Sequence, residues 1–304
     1  MLKYIILLVG FVMLIKGADV FVDSASSIAK RFGIPSIVVG LTIVAMGTSA
    51  PELSVSVQSA LAGMNDMSIA NVVGSNIFNL LVVLGISSFM GKLKIDNYKD
   101  VFMMFGSGIV MLVCSINGML GVVDGILLLS IFVAYIASLI YKAFKENQKE
   151  ENEDKHKSLI LTIILSVIGL TAIVQGGDLV VKSASVIAQQ LGMSENLIGL
   201  TVVAIGTSLP ELITSVIATK KGETDIAIGN VIGSNIFNIL LILGTASVIN
   251  PMTVSMFALI DLLFVIYMMI MFILMTFKSK SLSKTHGFIL VLFYASYMIY
   301  TIIR

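Results

Sequence analysis

Cysteine, histidine and charge are what this chain of 304 residues has least of: one cysteine, two histidines, and Asp, Glu, Lys and Arg at 12% in total. A single cysteine excludes an internal disulfide, and Cys114, set in an apolar run, reads as core filler rather than a reactive thiol. The histidines, His156 and His286, lie far apart and read as surface or interface residues. No His/Cys spacing suits a metal, no nucleophile sits beside a base, and no paired catalytic Asp motif is present. A membrane-embedded hydrolase is therefore set aside, and no enzyme and no cofactor is expected. Soluble domains carry about 25% charge. A chain 57% hydrophobic with a mean hydropathy of +1.03 has more apolar surface than soluble packing can hide. The class is a polytopic membrane protein whose first partner is the lipid bilayer. The net charge of +1 argues neither for nor against nucleic acid; no nucleic acid and no obligatory protein partner is expected. Prolines number only four, yet two of them interrupt apolar runs.

The chain reads as an all-α membrane protein with ten spans, at 4–23, 36–61, 68–90, 101–118, 121–141, 159–181, 196–219, 226–249, 253–277 and 286–303. The Met-Leu-Lys start resembles a signal peptide, but the segment has a counterpart in the second half and lacks a small-residue cleavage site. Residues 142–157 form a solvated mixed-charge connector, between a first unit, 1–141, and a second, 158–304. Loops after odd-numbered spans hold 15 of the 19 Lys and Arg residues, the opposite side holds Lys3, Lys182 and Arg304, and Lys16 lies within span one. By the positive-inside rule the odd loops are cytoplasmic and both termini extracellular, in a cell membrane.

Two stretches break the hydrocarbon pattern. Gly-Thr-Ser-Ala-Pro-Glu occupies 47–52 and Gly-Thr-Ser-Leu-Pro-Glu occupies 206–211, each near the middle of a span. An ionisable group at that depth costs a few kcal/mol and marks a functional site. Pro51 and Pro210 lack an N–H and clash with the carbonyl four residues back, so spans two and seven should be broken. Carbonyls near Ala45 and Ala204 are freed, at the negative end of a half-helix. With the hydroxyls of Thr48, Ser49, Thr207 and Ser208 and the carboxylates Glu52 and Glu211, they form hard oxygen donors with a charge of about −2, suited to Ca²⁺ or Na⁺. Spans three and eight add Asn-Val-(Val/Ile)-Gly-Ser-Asn-Ile-Phe-Asn at 71–79 and 230–238. Ser75 and Asn79 share a helix face, as do Ser234 and Asn238. Interhelical hydrogen bonding alone would explain one such segment; two copies facing two Pro-Glu motifs favour ion coordination. Gly74 and Gly233 allow close helix approach.

The two halves overlay at an offset of 159 without a gap from Gly17/Gly176 to Gly85/Gly244, and from Gly40 to Gly85 they share 27 of 46 positions. Each half holds five spans, an odd number, so the second must enter the membrane from the opposite side. That is the inverted-repeat plan of secondary transporters, with substrate near the midplane. Among charges outside the motifs, Asp178 has Lys182 four residues on, Asp19 has Lys16 nearby, and Asp124 and Asp261 read as solitary rim or packing residues.

Gly-Thr-Ser-x-Pro-Glu followed by (Ala/Gly)-Asn-Val-x-Gly-Ser-Asn-Ile-x-Asn, twice, resembles the repeats of the calcium/cation antiporter superfamily, nearest its prokaryotic sodium/calcium exchangers. The resemblance covers essentially the whole chain. It implies ten helices in two inverted five-helix repeats, with broken helices 2 and 7 in an ion-binding core and long spans 1 and 6 sliding across it. It places ion ligands at Ala45, Thr48, Ser49, Glu52, Ser75 and Asn79, and at Ala204, Thr207, Ser208, Glu211, Ser234 and Asn238, the alanines through their carbonyls. Many family members carry Asp at one of the positions that are here Asn79 and Asn238; two amides lower the site charge and argue against a potassium-dependent exchanger. The implied function is antiport of Na⁺ against Ca²⁺ by alternating access, with both ions as transported substrates. A Ca²⁺/H⁺ exchanger of the same fold and a cation channel are the rival readings.

Overall fold

The computed structural model describes residues 2–96, 98–145, 158–193, 202 and 204–303, with positions 65 and 204 described for the backbone alone. The described chain is almost wholly helical. Its helices are α1 (Leu2–Phe32), α2 (Ser36–Thr48), α3 (Ala50–Leu61), α4 (Asp66–Met90), α5 (Lys99–Ser115), α6 (Val122–Lys145), α7 (Leu159–Gln190), α8 (Ala204–Thr207), α9 (Leu209–Lys220), α10 (Thr224–Ile249), α11 (Met256–Phe277) and α12 (Lys284–Ile303). Seven of these are long and apolar enough to cross a bilayer, and α2 with α3, bent by 49°, makes an eighth span. Helix α5 has 17 residues, about 25 Å at 1.5 Å per residue. The start of the seventh expected span, 196–201 and 203, lies outside the described residues, as does 146–157 of the connector with His156.

Two helices run well past the expected ends. The apolar pattern ends span one at 23 but α1 reaches Phe32, and it ends span six at 181 but α7 reaches Gln190. The apolar windows stop where Asp19, Asp23 and a series of serines begin, but the backbone does not: Ser24 and Ser26 are buried against neighbours while Asp23 faces outward. Helix α6 likewise continues to Lys145, four residues into the stretch read as connector.

Burial separates centre from periphery. The most apolar stretch of α10 is 94% buried and that of α4 is 78%, against 11% for α12. A helix enclosed on all sides needs small residues where neighbours cross it. A Cβ on Gly233 would sit 2.8 Å from the Leu41 carbonyl, and one on Gly229 would sit 2.7 Å from that of Ile37, so α2 lies directly on the α10 backbone. The long helices α1 and α7 cross on four glycines. A Cβ on Gly10 would meet Gly176 O at 2.9 Å, one on Gly176 would meet Gly10 O at 2.8 Å, and Gly17 and Gly169 oppose each other in the same way. The crossing maps onto itself when the halves are exchanged, since Gly10 and Gly17 stand 159 positions before Gly169 and Gly176.

Four two-residue strands tie the halves together at the rims. Strand β1 (Leu93–Lys94) pairs antiparallel with β4 (Ser281–Leu282), in register Leu93↔Leu282, and β2 (Met119–Leu120) pairs with β3 (Met252–Thr253), in register Leu120↔Met252. Charges also bridge the halves. Lys221, just after α9, reaches Asp19 Oδ1 and Asp23 Oδ1 on α1, both at 2.7 Å, and donates to the Asp19 carbonyl at 2.8 Å. Burial pulls the Lys221 ammonium down, but Asp19 and Asp23 outweigh it and hold the group above its ordinary value. Glu223 accepts from Ser26 at 2.5 Å and from Lys30 at 3.3 Å. Asp19 thus pairs with Lys221 rather than with the expected Lys16; Asp178 does pair with Lys182, at 2.7 Å. Asp124 turns inward to accept the Gly121 N–H at 2.8 Å. Asp261 is buried and has partners of its own. His286 is engaged locally, its ring and backbone exchanging hydrogen bonds with Ser283.

Candidate ion-binding site

Each Pro-Glu motif breaks its span two residues before the proline. Ser49 (φ −82°, ψ 9°) and Ser208 (φ −93°, ψ 7°) sit in the sparsely populated bridge region, where one half-helix stops and the next starts. Pro51 and Pro210 then fall in the first turn of α3 and α9, where a missing N–H costs nothing. Glu52 and Glu211 follow within that turn, at the positive end of a twelve-residue helix, which favours a carboxylate. The site therefore gains from the start of the second half-helix as well as from the end of the first.

The Ala45 carbonyl is less free than the sequence suggested. It accepts the Ser49 N–H at 3.0 Å, which leaves one of its two lone pairs. Ala204 opens α8, and its side chain lies outside the described residues. The other eleven expected residues are all buried, Glu52 and Glu211 completely.

The two halves serve each other. Ser49 Oγ donates to Glu211 Oε1 at 2.9 Å, and Ser208 Oγ donates to Glu52 Oε1 at 3.0 Å. Ser75 adds a weak 3.4 Å contact to Glu52 Oε1. Each carboxylate is thus addressed by the serine three residues before the other one. The second oxygens, Glu52 Oε2 and Glu211 Oε2, have no hydrogen-bond partner among the described residues. Neither do both side-chain polar atoms of Asn79, nor Asn238 Oδ1. A fully buried carboxylate oxygen with no donor is expensive. Oxygens left open in one buried cluster are what a desolvated cation would take up, and every one of them is hard. Among the described residues no group of three His, Cys, Asp or Glu gathers to hold a metal.

Asn79 and Asn238 occupy a feature without a sequence signature. Each opens a π-helical turn, Asn79–Val83 in α4 and Asn238–Leu243 in α10, and a third such turn, Gly40–Val44, precedes Ala45 in α2. An inserted π turn rotates the chain and releases a backbone pair, and such turns gather at functional sites.

Two asparagine pairs repeat in the motifs but were not expected among the ligands. Asn71 Nδ2 donates to the Glu52 carbonyl at 3.1 Å and to Ser56 Oγ at 2.8 Å; Asn230 Nδ2 donates to the Glu211 carbonyl at 3.4 Å and to Ser215 Oγ at 2.9 Å. At the centre, Asn238 Nδ2 donates to Asn76 Oδ1 at 3.0 Å, and Asn76 Nδ2 reaches the Asn235 carbonyl at 3.5 Å. Their recurrence at the repeat offset was the available signal.

The family model described as sodium/calcium exchanger protein matches residues 2–141 and 161–303. The sodium/calcium exchanger MaX1 of Methanosarcina acetivorans is 33% identical over 343 aligned positions, covering 98% of this chain and 97% of that one. The inner membrane protein YrbG of Escherichia coli is 32% identical over 258, covering 81% and 79%. Among solved structures, the sodium-calcium exchanger NCX_Mj soaked with Na⁺ and Ca²⁺ superposes with a TM-score of 0.87 at 30% identity over 97% of both chains. The same protein soaked with Na⁺ and Sr²⁺ gives 0.89 at 30% identity over 98% of both.

Proposed function

The chain belongs to the sodium/calcium exchanger family, and from that premise we propose that its paired Pro-Glu breaks form one site at which Na⁺ and Ca²⁺ alternate. The protein is a multi-span membrane antiporter that exchanges Na⁺ for Ca²⁺. The observation that carries the site is the reciprocal pair of cross-half hydrogen bonds, Ser49 to Glu211 and Ser208 to Glu52, with one oxygen of each carboxylate left over.

The architecture that fits this reading has ten helices in two inverted five-helix repeats, 1–141 and 158–304, with both termini outside and the connector in the cytoplasm. The self-mapping glycine crossing and the ladders between halves support it. Ca²⁺ binds between Glu52 and Glu211, with the Ala45 and Ala204 carbonyls and the hydroxyls of Thr48 and Thr207. Na⁺ ions use the same carboxylates with Ser49, Ser75 and Asn79 and with Ser208, Ser234 and Asn238. An empty site leaves two like charges in low dielectric, which disfavours crossing without ions and so couples the fluxes. Two carboxylates suit one Ca²⁺, or Na⁺ ions that replace it.

The test is uptake of radiolabelled Ca²⁺ into proteoliposomes with Na⁺, K⁺ and H⁺ gradients imposed one at a time. Uptake should follow the Na⁺ gradient and vanish in Glu52→Gln and Glu211→Gln. Uptake driven by a pH gradient in Na⁺-free buffer would make the protein a proton-coupled exchanger, and full activity of both variants would remove the proposed site.

A further inference from the structure

We propose that Asn230 is a positioning residue for the cation site, aiming the Thr48 hydroxyl of the opposite half; the proposal rests on the site reading above. Asn230 is completely buried and uses both ends of its amide. Its Nδ2 braces the Glu211 turn through the Glu211 carbonyl and Ser215 Oγ. Its Oδ1 accepts from Thr48 Oγ1 at 3.0 Å, across a sequence separation of 182 residues.

Thr48 has one proton and three acceptors in reach. Besides Asn230 these are the carbonyls of Val44, at 3.1 Å, and Ala45, at 3.4 Å. A hydroxyl that ligates a cation through its lone pairs must send its proton elsewhere. If the proton turns back to Ala45, it fills the lone pair left after the Ser49 N–H has taken the other. If it goes to Asn230, both the Thr48 oxygen and the Ala45 carbonyl stay open toward the site. Asn230 offers the shortest of the three bonds, 3.0 Å against 3.1 Å to Val44 and 3.4 Å to Ala45, and so draws the proton off the Ala45 carbonyl while its Nδ2 fixes the backbone of the carboxylate in the second half. No charge is added, so selectivity between one Ca²⁺ and Na⁺ remains with the carboxylates.

The experiment is equilibrium binding of radiolabelled Ca²⁺ to the purified full chain in Na⁺-free buffer, normalised to folded protein, in a double-mutant cycle. Asn230→Ala should weaken binding about tenfold, the worth of one buried hydrogen bond. The same change should cost about tenfold on a Thr48→Ser background, which keeps the hydroxyl, and clearly less on a Thr48→Val background, where only the brace on the Glu211 turn is left to lose. A purely structural asparagine would lower the folded fraction while leaving the affinity of folded molecules unchanged. That result, or equal costs on the Ser and Val backgrounds, overturns the proposal. Glu211→Gln, run alongside, separates the two claims: if it binds Ca²⁺ as the unmodified chain does, the site reading itself has failed.

Discussion

Replacing Gly176 by alanine tests whether α1 and α7 truly meet backbone to backbone. The added methyl would lie 2.8 Å from Gly10 O and Leu14 N and 3.0 Å from Met13 Cβ. Two of those atoms are main chain and cannot rotate aside, so the helices must part by about 0.6 Å to reach ordinary contact. Overfilling a close-packed contact costs about 1–3 kcal/mol. Alanine returns about 0.8–1.0 kcal/mol of helix propensity. The net loss should reach up to about 2 kcal/mol, a fall in melting temperature. Gly106→Ala is the matched control: among the described residues nothing lies within 4 Å of its Cβ position, so only the propensity gain applies and the melting temperature should rise. The chain supplies its own probe, since its single cysteine, Cys114, is 8% exposed and a thiol-reactive dye labels it only on unfolding. A Gly176→Ala protein that melts at or above the unmodified one would refute the crossing.

Ser208→Ala and Ser49→Ala should each weaken Ca²⁺ binding by about tenfold or more, because a hydrogen bond to a charged group contributes about 1.5–3 kcal/mol. Equilibrium binding checks this, and a loss in only one of the two would contradict the reciprocity. Lys221→Met should cost about 1 kcal/mol at most, since its pairs are partly exposed, with the side chains of Lys221, Asp19 and Asp23 at 25%, 47% and 61%. That cost should shrink in high salt when the dye melt is repeated. The pairing raises the Lys221 ammonium, so its contribution is complete at neutral pH, below the unfolded value, and disappears only as strongly alkaline buffer deprotonates the folded state. A Lys221→Met cost that grew on lowering the pH toward neutrality from a lower alkaline cost fits; the opposite trend does not.

The site was legible because its key residues are anomalies. Glu52 and Glu211 stand in apolar runs where a carboxylate is costly, and the same anomaly appears twice at one offset. The bend at Ser49 followed from Pro51, though the break falls earlier than the ring itself because proline is at home in a first helical turn. The partnership of Ser208 with Glu52 spans 156 residues and that of Lys221 with Asp19 spans 202, and no local pattern carries such pairs. Helices α1 and α7 were read short because hydropathy windows register polarity, while helix continuation depends on the backbone and on what each face touches. The π turns at Asn79 and Asn238 leave no mark in the residue pattern, and the two-residue strands are too brief to alternate.

The contacts of Lys221 and Glu223 have no twin. Their equivalents in the first half are Ala62 and Met64, while the equivalents of Asp19 and Asp23 are Asp178 and Lys182, an acid and a base that neutralise each other within one helix turn. A molecule made of two near-copies would, were the copies perfect, be indifferent to which of its faces stood ajar. Among the described residues this one carries its charged bridges on one side of the repeat only, so the two orientations of the proposed exchange cycle should differ in energy.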